Sequence, residues 1–345
     1  MSDVQRSMGL HIRVATSLTG GAFATIAAGL LAGPAAAHGP APAEPPSLAN
    51  LVLGWTFEPF VAIPLAILAV GWLVMVGRID RHHPDSPVPV RRTVAFMAGL
   101  VAIAVALMSG IERYDTTLFS IHMVEHLLLM VVAAPLIALA APITQMLRAA
   151  SPEIRRRVLL PLLRSGPVAA LSHPVVAWLA FTLVLYVSHF SALFEAALED
   201  QFVHDLEHVL YLVAALLFWW PVVRLDPAPH RLGHAARVGY LLLQMPLSSF
   251  LAMVVLFDDG PLYRHYAALG SIYGTTALAD QALAAGIMWF LSDAVFIGSI
   301  LLLVAGWMRH EERDQAAADR RAEPAIRAIQ ERADRLAERT GRGTG

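Results

Sequence analysis

The chain has 345 residues, of which 57% are hydrophobic and 15% charged, with a net charge of −2 and a pI near 6.7. This composition lies outside the range of ordinary soluble domains, and it argues against a nucleic-acid partner. The absence of Cys excludes disulfides, thiolate metal sites and thiol nucleophiles, so imidazole, carboxylate or thioether groups must hold any metal.

The N-terminal residues are typical of a secretory signal peptide. Arg6 and Arg13 precede an apolar run, and Ala35-Ala36-Ala37 then resembles a cleavage site. We therefore expect residues 1–37 to be a signal peptide, with an uncleaved signal anchor as the alternative. Residues 38–56 would form an extracytoplasmic N-terminal segment. If cleavage follows Ala37, the amine and imidazole of His38 could together chelate Cu(II).

Seven apolar segments follow, each about long enough to cross a bilayer as a helix. The sequence therefore predicts an all-α integral membrane protein whose seven transmembrane helices, after the signal peptide, form a membrane domain at residues 57–308. The segments span 57–77, 93–111, 118–141, 174–195, 203–223, 236–257 and 279–308. Pro135 and Pro246 lie within the third and sixth segments and predict kinks there. A charged tail of helical spacing, residues 309–345, completes the chain.

The distribution of Arg between the loops predicts the orientation. Arg is frequent in every second loop and rare in the others, and the Arg-rich loops of short-looped membrane proteins face the cytoplasm. This places the mature N-terminus outside the bacterial inner membrane and the tail in the cytoplasm. The Arg-rich loops hold Arg78, Arg81, Arg91, Arg92, Arg148, Arg155, Arg156, Arg157, Arg164, Arg224, Arg231 and Arg237, against only Arg113 and Arg264 in the alternate loops.

An internal repeat is the strongest signal for chemistry. The third segment contains His122-Met-Val-Glu125-His126 and the fifth contains His204-Asp-Leu-Glu207-His208, so both carry the pattern H-x-x-E-H. Histidines four residues apart lie on one helical face, and each pair can offer two imidazoles to one Zn, Cu or Fe ion. The intervening Glu could orient an imidazole, bind the metal or face a neighbouring helix.

Both motifs lie at predicted extracytoplasmic helix starts, where other polar side chains are expected to join them. These are Asp280 of the seventh segment, His189 of the fourth, and Glu112 and Asp115 after the second. Met130 and Met288 lie one to two turns deeper, and their thioethers are soft ligands suited to Cu(I), although filling the core is the commoner role of Met. Asp293 lies mid-helix, where its role is either functional or a hydrogen bond to Ser248 or Ser249.

The order of these motifs resembles the multi-span CtaG-type family of cytochrome c oxidase assembly factors. The resemblance rests on the segment from Phe119 to Pro142, with further support in the second His motif. It also includes His173-Pro-Val-Val-Ala-Trp178, Tyr186-Val-Ser-His189 and Asp280-Gln-Ala-Leu-Ala-Ala-Gly-Ile-Met-Trp289, and covers roughly residues 50–308.

The resemblance implies a role in maturing haem-copper oxidases by helping copper reach the catalytic subunit, without catalysis. It implies as the functional, metal-binding set His122, His126, His204, His208 and Asp280. Position and ligand chemistry add as secondary candidates Glu125, Glu207, His189, Met130, Met288 and His38. The expected partners are an oxidase subunit, a periplasmic copper chaperone and the lipid bilayer. Three alternatives stay open: a haem-binding electron carrier, an intramembrane H-x-x-E-H metalloenzyme and a copper transporter.

Overall fold

The computed structural model describes residues 42–341, so the predicted signal peptide and His38 lie outside the described residues. Most of the described chain is helical. The helices are α1 Leu48–Leu53, α2 Pro59–His82, α3 Val90–Met108, α4 Gly110–Tyr114, α5 Phe119–Leu127, α6 Ala134–Ala140, α7 Pro142–Ala149, α8 Pro152–Ile154, α9 Leu160–Leu163, α10 Gly166–Leu171, α11 Pro174–Phe190, α12 Ala192–Glu199, α13 Gln201–Val223, α14 His234–Leu256, α15 Arg264–Leu269 and α16 Ala277–Gly341.

Two further kinds of element interrupt the helices. Leu128–Ala133 and Arg155–Leu159 are π-helical, with one wider turn each, and join α5 to α6 and α8 to α9. A short antiparallel hairpin pairs β1 Ser271–Ile272 with β2 Thr275–Thr276 immediately before α16. The fold is therefore all-α in the region that forms the candidate site.

Six helical stretches are long and apolar enough to cross a membrane, which confirms a multi-pass, all-α membrane protein. They are Pro59–His82, Val90–Tyr114, Phe119–Ala149, Gln201–Val223, His234–Leu256 and the apolar part of α16. The fourth predicted segment differs from a straight span. Ser191 has extended backbone between α11 and α12, and the two helix axes differ in direction by 70°. The two helices form a seventh span only if they are counted together as one bent span.

The core lies among α5, α11, α13, α14 and α16. The sequence favours this packing because bulky aromatic residues of α13 face inward, with Phe218 and Trp219 fully or almost fully buried. In contrast, only Trp72 and Ile79 of α2 are buried, and the Trp72 ring stacks on Phe96 with centroids 4.2 Å apart. Many of the other large apolar residues of α2, such as Phe60 and Leu73, are exposed. Such exposed apolar surface is what a lipid-facing helix requires.

The predicted distortion at Pro135 is confirmed as a π-helical turn. Ala134 N donates to the carbonyl of Leu129 five residues back, so the Met130 carbonyl loses its usual helical donor. The π-helical donor to Met130 would be Pro135, which has no N–H. Trp219 Nε1 on α13 donates to this carbonyl instead, at 2.9 Å. The proline therefore fixes α13 to the turn that carries Met130.

We expect Trp219→Phe to lower the free energy of unfolding by about 1–3 kcal/mol, because the buried Met130 carbonyl would lose its donor. Thermal unfolding in detergent, followed by intrinsic fluorescence and circular dichroism, measures the change. Trp220→Phe on the next position is the matched control, since within residues 42–341 its Nε1 makes no hydrogen bond. Equal unfolding temperatures for the two variants would contradict the role assigned to Trp219.

Candidate metal centre

The two H-x-x-E-H motifs lie side by side, as their matching positions predict. Within each motif the two imidazole rings are 4.2 Å apart between centroids. Across the two helices, the first histidines His122 and His204 are 5.1 Å apart, and the last histidines His126 and His208 are 5.6 Å apart. We call these four residues the histidine layer. One repeat therefore faces the other, first residue to first and last to last.

The glutamates of the two motifs make reciprocal contacts. Glu125 Oε1 lies 2.7 Å from His208 Nε2, and Glu207 Oε2 lies 4.0 Å from His126 Nε2. Each glutamate thus faces the last histidine of the other repeat. Neither pair has hydrogen-bond geometry, so these are charge contacts between the two repeats.

Two overlapping sets of side chains bring donor atoms within 4.8 Å of one another, which is compatible with one central metal ion. The first set is His122, His126, His204 and Glu207, and the second set is Asp115, His122, Glu125 and His204. His122 and His204 belong to both sets. A single ion bound between α5 and α13 would therefore use at least these two imidazoles.

Asp115 reaches the layer from the turn between α4 and α5. Its Oδ2 lies 3.5 Å from His204 Nε2, and its side chain is completely buried. Burial, followed by the neighbouring Glu125 carboxylate, raises the pKa of Asp115 well above its usual value. Sequence reasoning placed Asp115 near the layer but did not include it among the metal ligands. The only feature of the sequence that pointed to Asp115 was its position in the short connection before α5.

The donor groups are closed off from solvent. His122, His204, Glu125 and Asp115 have no exposed surface, and His208 is exposed by only 5%. The donor groups therefore do not reach the surface of the protein. Aromatic side chains of α12 and α15 cover the donor groups. The sequence did not predict that these side chains would lie here.

An aromatic cap covers the histidine layer, made by Phe119, Phe194, Tyr263 and Tyr266. Phe194 is fully buried, with its ring centroid 4.8 Å from His122 and 4.1 Å from Tyr263. Hydrogen bonds hold the cap in place, because Tyr266 donates to the Asp115 carbonyl at 2.7 Å and Tyr263 to the His189 carbonyl at 3.3 Å. The cap therefore packs directly against the histidine layer.

Asp280 and His189 lie near the layer but outside both donor sets. Asp280 accepts hydrogen bonds from the backbone N and the hydroxyl of Ser120, so it anchors the first turn of α5 to α16. His189 Nδ1 hydrogen-bonds to the Leu185 carbonyl at 2.8 Å. His208 is absent from both sets, and its Nε2 lies 2.7 Å from Glu125 Oε1. Of the five residues predicted as ligands, the structure thus gathers three into one donor set.

The mid-membrane Asp293 takes the second of its two predicted roles. Ser249 donates to its Oδ2 at 3.3 Å, which links α14 to α16. Within residues 42–341, this carboxylate forms no ion pair. Asp293 therefore provides a helix–helix contact through Oδ2, while its buried Oδ1 makes no hydrogen bond within the described residues.

The chemistry of the layer fits a transition metal. Within the described part of the chain, His126 Nδ1 and Glu207 Oε1 make no hydrogen bond although both are buried. Buried polar atoms without partners are rare in proteins, and an ion is one of the few reasons for them. Imidazoles with one or two carboxylates suit Cu, Zn and Fe alike.

The model of the cytochrome c oxidase caa3 assembly factor family matches residues 70–310, which include every residue of both donor sets. The chain belongs to this family. This confirms the resemblance drawn from the two His motifs.

Three curated relatives of this assembly factor come from mycobacteria, and each is described as an uncharacterized protein. Those of Mycobacterium bovis and Mycobacterium tuberculosis are 29% identical over 287 residues, and that of Mycobacterium leprae is 28% identical. The matches cover 81% of this chain but 43% of each relative, so the chain spans less than half the length of these relatives. No solved structure matches the chain significantly.

Proposed function

We propose that this assembly factor binds a copper ion in the histidine layer and assists its delivery to the catalytic subunit of a cytochrome c oxidase. The observation that carries the proposal is the meeting of the two repeats. His122, His126, His204 and Glu207 offer donor atoms within 4.8 Å of one another, on the two helices that carry the repeated motif. Membership of the family supports cytochrome c oxidase as the target, and the donor atoms of the two repeats support a site for copper.

The proposed topology places the site at the outer surface of the inner membrane. The distribution of Arg between loops supports a mature N-terminus outside and the charged tail, residues 309–345, inside. Both His motifs then lie at the extracytoplasmic ends of α5 and α13. A periplasmic copper chaperone would be the donor, and the catalytic subunit in the same bilayer would be the recipient.

The proposed role involves ligand exchange and no catalysed reaction. Imidazoles give up a copper ion readily when a second set of ligands approaches, and the reciprocal Glu–His contacts tune their basicity. Opening of the aromatic cap would admit the donor or the recipient. The ion keeps its oxidation state, so no electron carrier is required.

The structure gives specific reasons against the alternatives. The cavity that adjoins His126 has a volume of about 30 Å³, whereas sites for drug-sized ligands occupy several hundred Å³. A haem or a peptide substrate would therefore displace the side chains that form the layer. Transporters bind their cargo near the middle of the membrane. Both donor sets lie instead near the first turns of α5 and α13, and the mid-helix Asp293 accepts a hydrogen bond from Ser249.

The copper content of the purified protein tests the proposal. After reconstitution we expect about one copper per chain at the histidine layer, since its donor atoms are too close for separate sites. We expect loss of this copper in both His122→Ala/His126→Ala and His204→Ala/His208→Ala. Inductively coupled plasma mass spectrometry, with sulfur from Met as the internal protein standard, measures it.

The matched control is His82→Ala/His83→Ala, which removes two exposed adjacent histidines at the end of α2. This variant should keep its copper. Retention of the full wild-type copper content by both layer variants, or equal loss from the control, would place the metal elsewhere and overturn the assignment.

A further inference from the structure

A small cavity lies next to the histidine layer and further along the same helices. Its volume is about 30 Å³, enough for one water molecule or one ion. Its walls come from α5, the π-helical turn Leu128–Ala133, α11, α14 and α16. The lining residues that carry the argument are Met123, His126, Met130, His189 and Met288. Since His126 is also a member of the first donor set, the cavity and the histidine layer share one imidazole.

His189 presents one nitrogen without a partner. Its Nδ1 lies 2.8 Å from the Leu185 carbonyl, and a carbonyl can only accept, so Nδ1 carries the proton. Nε2 then has a lone pair, and it makes no hydrogen bond with any residue of the described chain. The residue is only 4% exposed. A backbone carbonyl that fixes the tautomer of an imidazole in this way is typical of metal-binding histidines.

Three methionines complete the lining, and all three are buried. Met130 lies in the π-helical turn whose position Pro135 and Trp219 determine, and Met288 lies on α16. Methionines often fill core space. In this cavity, however, they surround an unfilled volume together with an imidazole lone pair. Thioether and imidazole ligands without a carboxylate select a soft monovalent cation over Zn(II).

We propose that this cavity is a second metal position, for a soft monovalent ion such as Cu(I), bound by the thioethers of Met130 and Met288 and by Nε2 of His189. The proposal deepens the proposed function and rests on it, because His126 connects the two positions. Carboxylates lie beside the histidine layer, whereas thioethers line the cavity. The ligands of the two positions therefore differ in hardness. Cu(I) therefore passes from one to the other by ligand exchange, with no change of oxidation state.

Metal titration of the full-length protein in detergent tests the second position. Cu(I) under anaerobic conditions and Ag(I), a redox-inert substitute, are the probes, and X-ray absorption reports whether sulfur is bound. The wild type should bind about two Cu(I) with sulfur among the ligands, and Met130→Leu/Met288→Leu should lose about one Cu(I) and all sulfur scattering. Leu is close to Met in volume, so the fold should be retained.

Met253→Leu/Met308→Leu is the matched control, since it removes two exposed thioethers outside the cavity. It should bind as the wild type does. An absence of sulfur scattering from the wild type, or scattering that persists in Met130→Leu/Met288→Leu, overturns the second position and assigns the cavity to water. Zn(II) binding, measured on the same variants and on His122→Ala/His126→Ala, tests the histidine layer separately. Zn(II) binding by His122→Ala/His126→Ala at the wild-type level would overturn the metal site in the histidine layer.

Discussion

Cells whose only copy carries His122→Ala/His204→Ala are expected to lose cytochrome c oxidase activity by roughly tenfold or more, because both donor sets require these two imidazoles. Neither set keeps more than two ligands in this variant, which is too few to hold a transition metal against competing ligands. The measurement is oxidase activity of isolated membranes, together with the copper content of the enriched oxidase. The amount of assembly factor in the membrane must be shown to be unchanged.

The matched control is again His82→Ala/His83→Ala, which should support normal oxidase activity. Growth in excess copper should partly restore activity to the layer variant, since a high concentration can bypass a delivery protein. Normal oxidase activity in cells with His122→Ala/His204→Ala would show that assembly does not depend on a metal in this layer. A loss of activity with unchanged oxidase copper would indicate a role in assembly other than copper delivery.

Phe194→Ala is expected to have the largest effect on stability of any single change near the site. Phe194 is completely buried, and its ring contacts both the histidine layer and Tyr263. Removing a buried phenylalanine ring costs about 3–5 kcal/mol of the free energy of unfolding. The change should also open the aromatic cap, so copper should pass to an added chelator faster. Thermal unfolding and the rate of copper release measure the two effects.

The control for this change is Phe190→Ala, four residues earlier at the end of α11, where 46% of the side chain is exposed. It should alter neither unfolding nor copper release appreciably. A lower unfolding temperature of Phe194→Ala with an unchanged rate of copper release would mean that Phe194 stabilises the fold without controlling access to the metal. Unchanged unfolding would contradict the close packing of Phe194 in the cap.

The membrane fold could be predicted from the sequence because its signal is local. Apolar stretches of spanning length need only the hydropathy of neighbouring residues, and the structure confirms six of them and the bent pair α11 and α12. The break at Ser191 was not predicted, since a bend of 70° preserves the apolar composition on both sides. Pro135 did predict a distortion, because a residue without an N–H must disturb the helical hydrogen bonds.

The sequence likewise predicted only the local features of the candidate site. The repeated H-x-x-E-H motif predicted two imidazoles on one face of each helix, which follows from the helical period alone. The sequence could not show that Glu125 would face His208 rather than its own neighbour His126, because that contact depends on how α5 packs against α13. Asp280 satisfied the same local criteria as the other candidates, yet packing directed it to Ser120.

By itself, the sequence determined an all-α membrane protein, its family, and the histidines available to a metal, since each depends on composition or on spacing along one helix. Only the tertiary structure decided that Asp115 joins the layer, that an aromatic cap closes it, and that Met130 and Met288 share a cavity with His189. These contacts join residues far apart in the chain. They are determined by helix packing, for which no local pattern of residues exists.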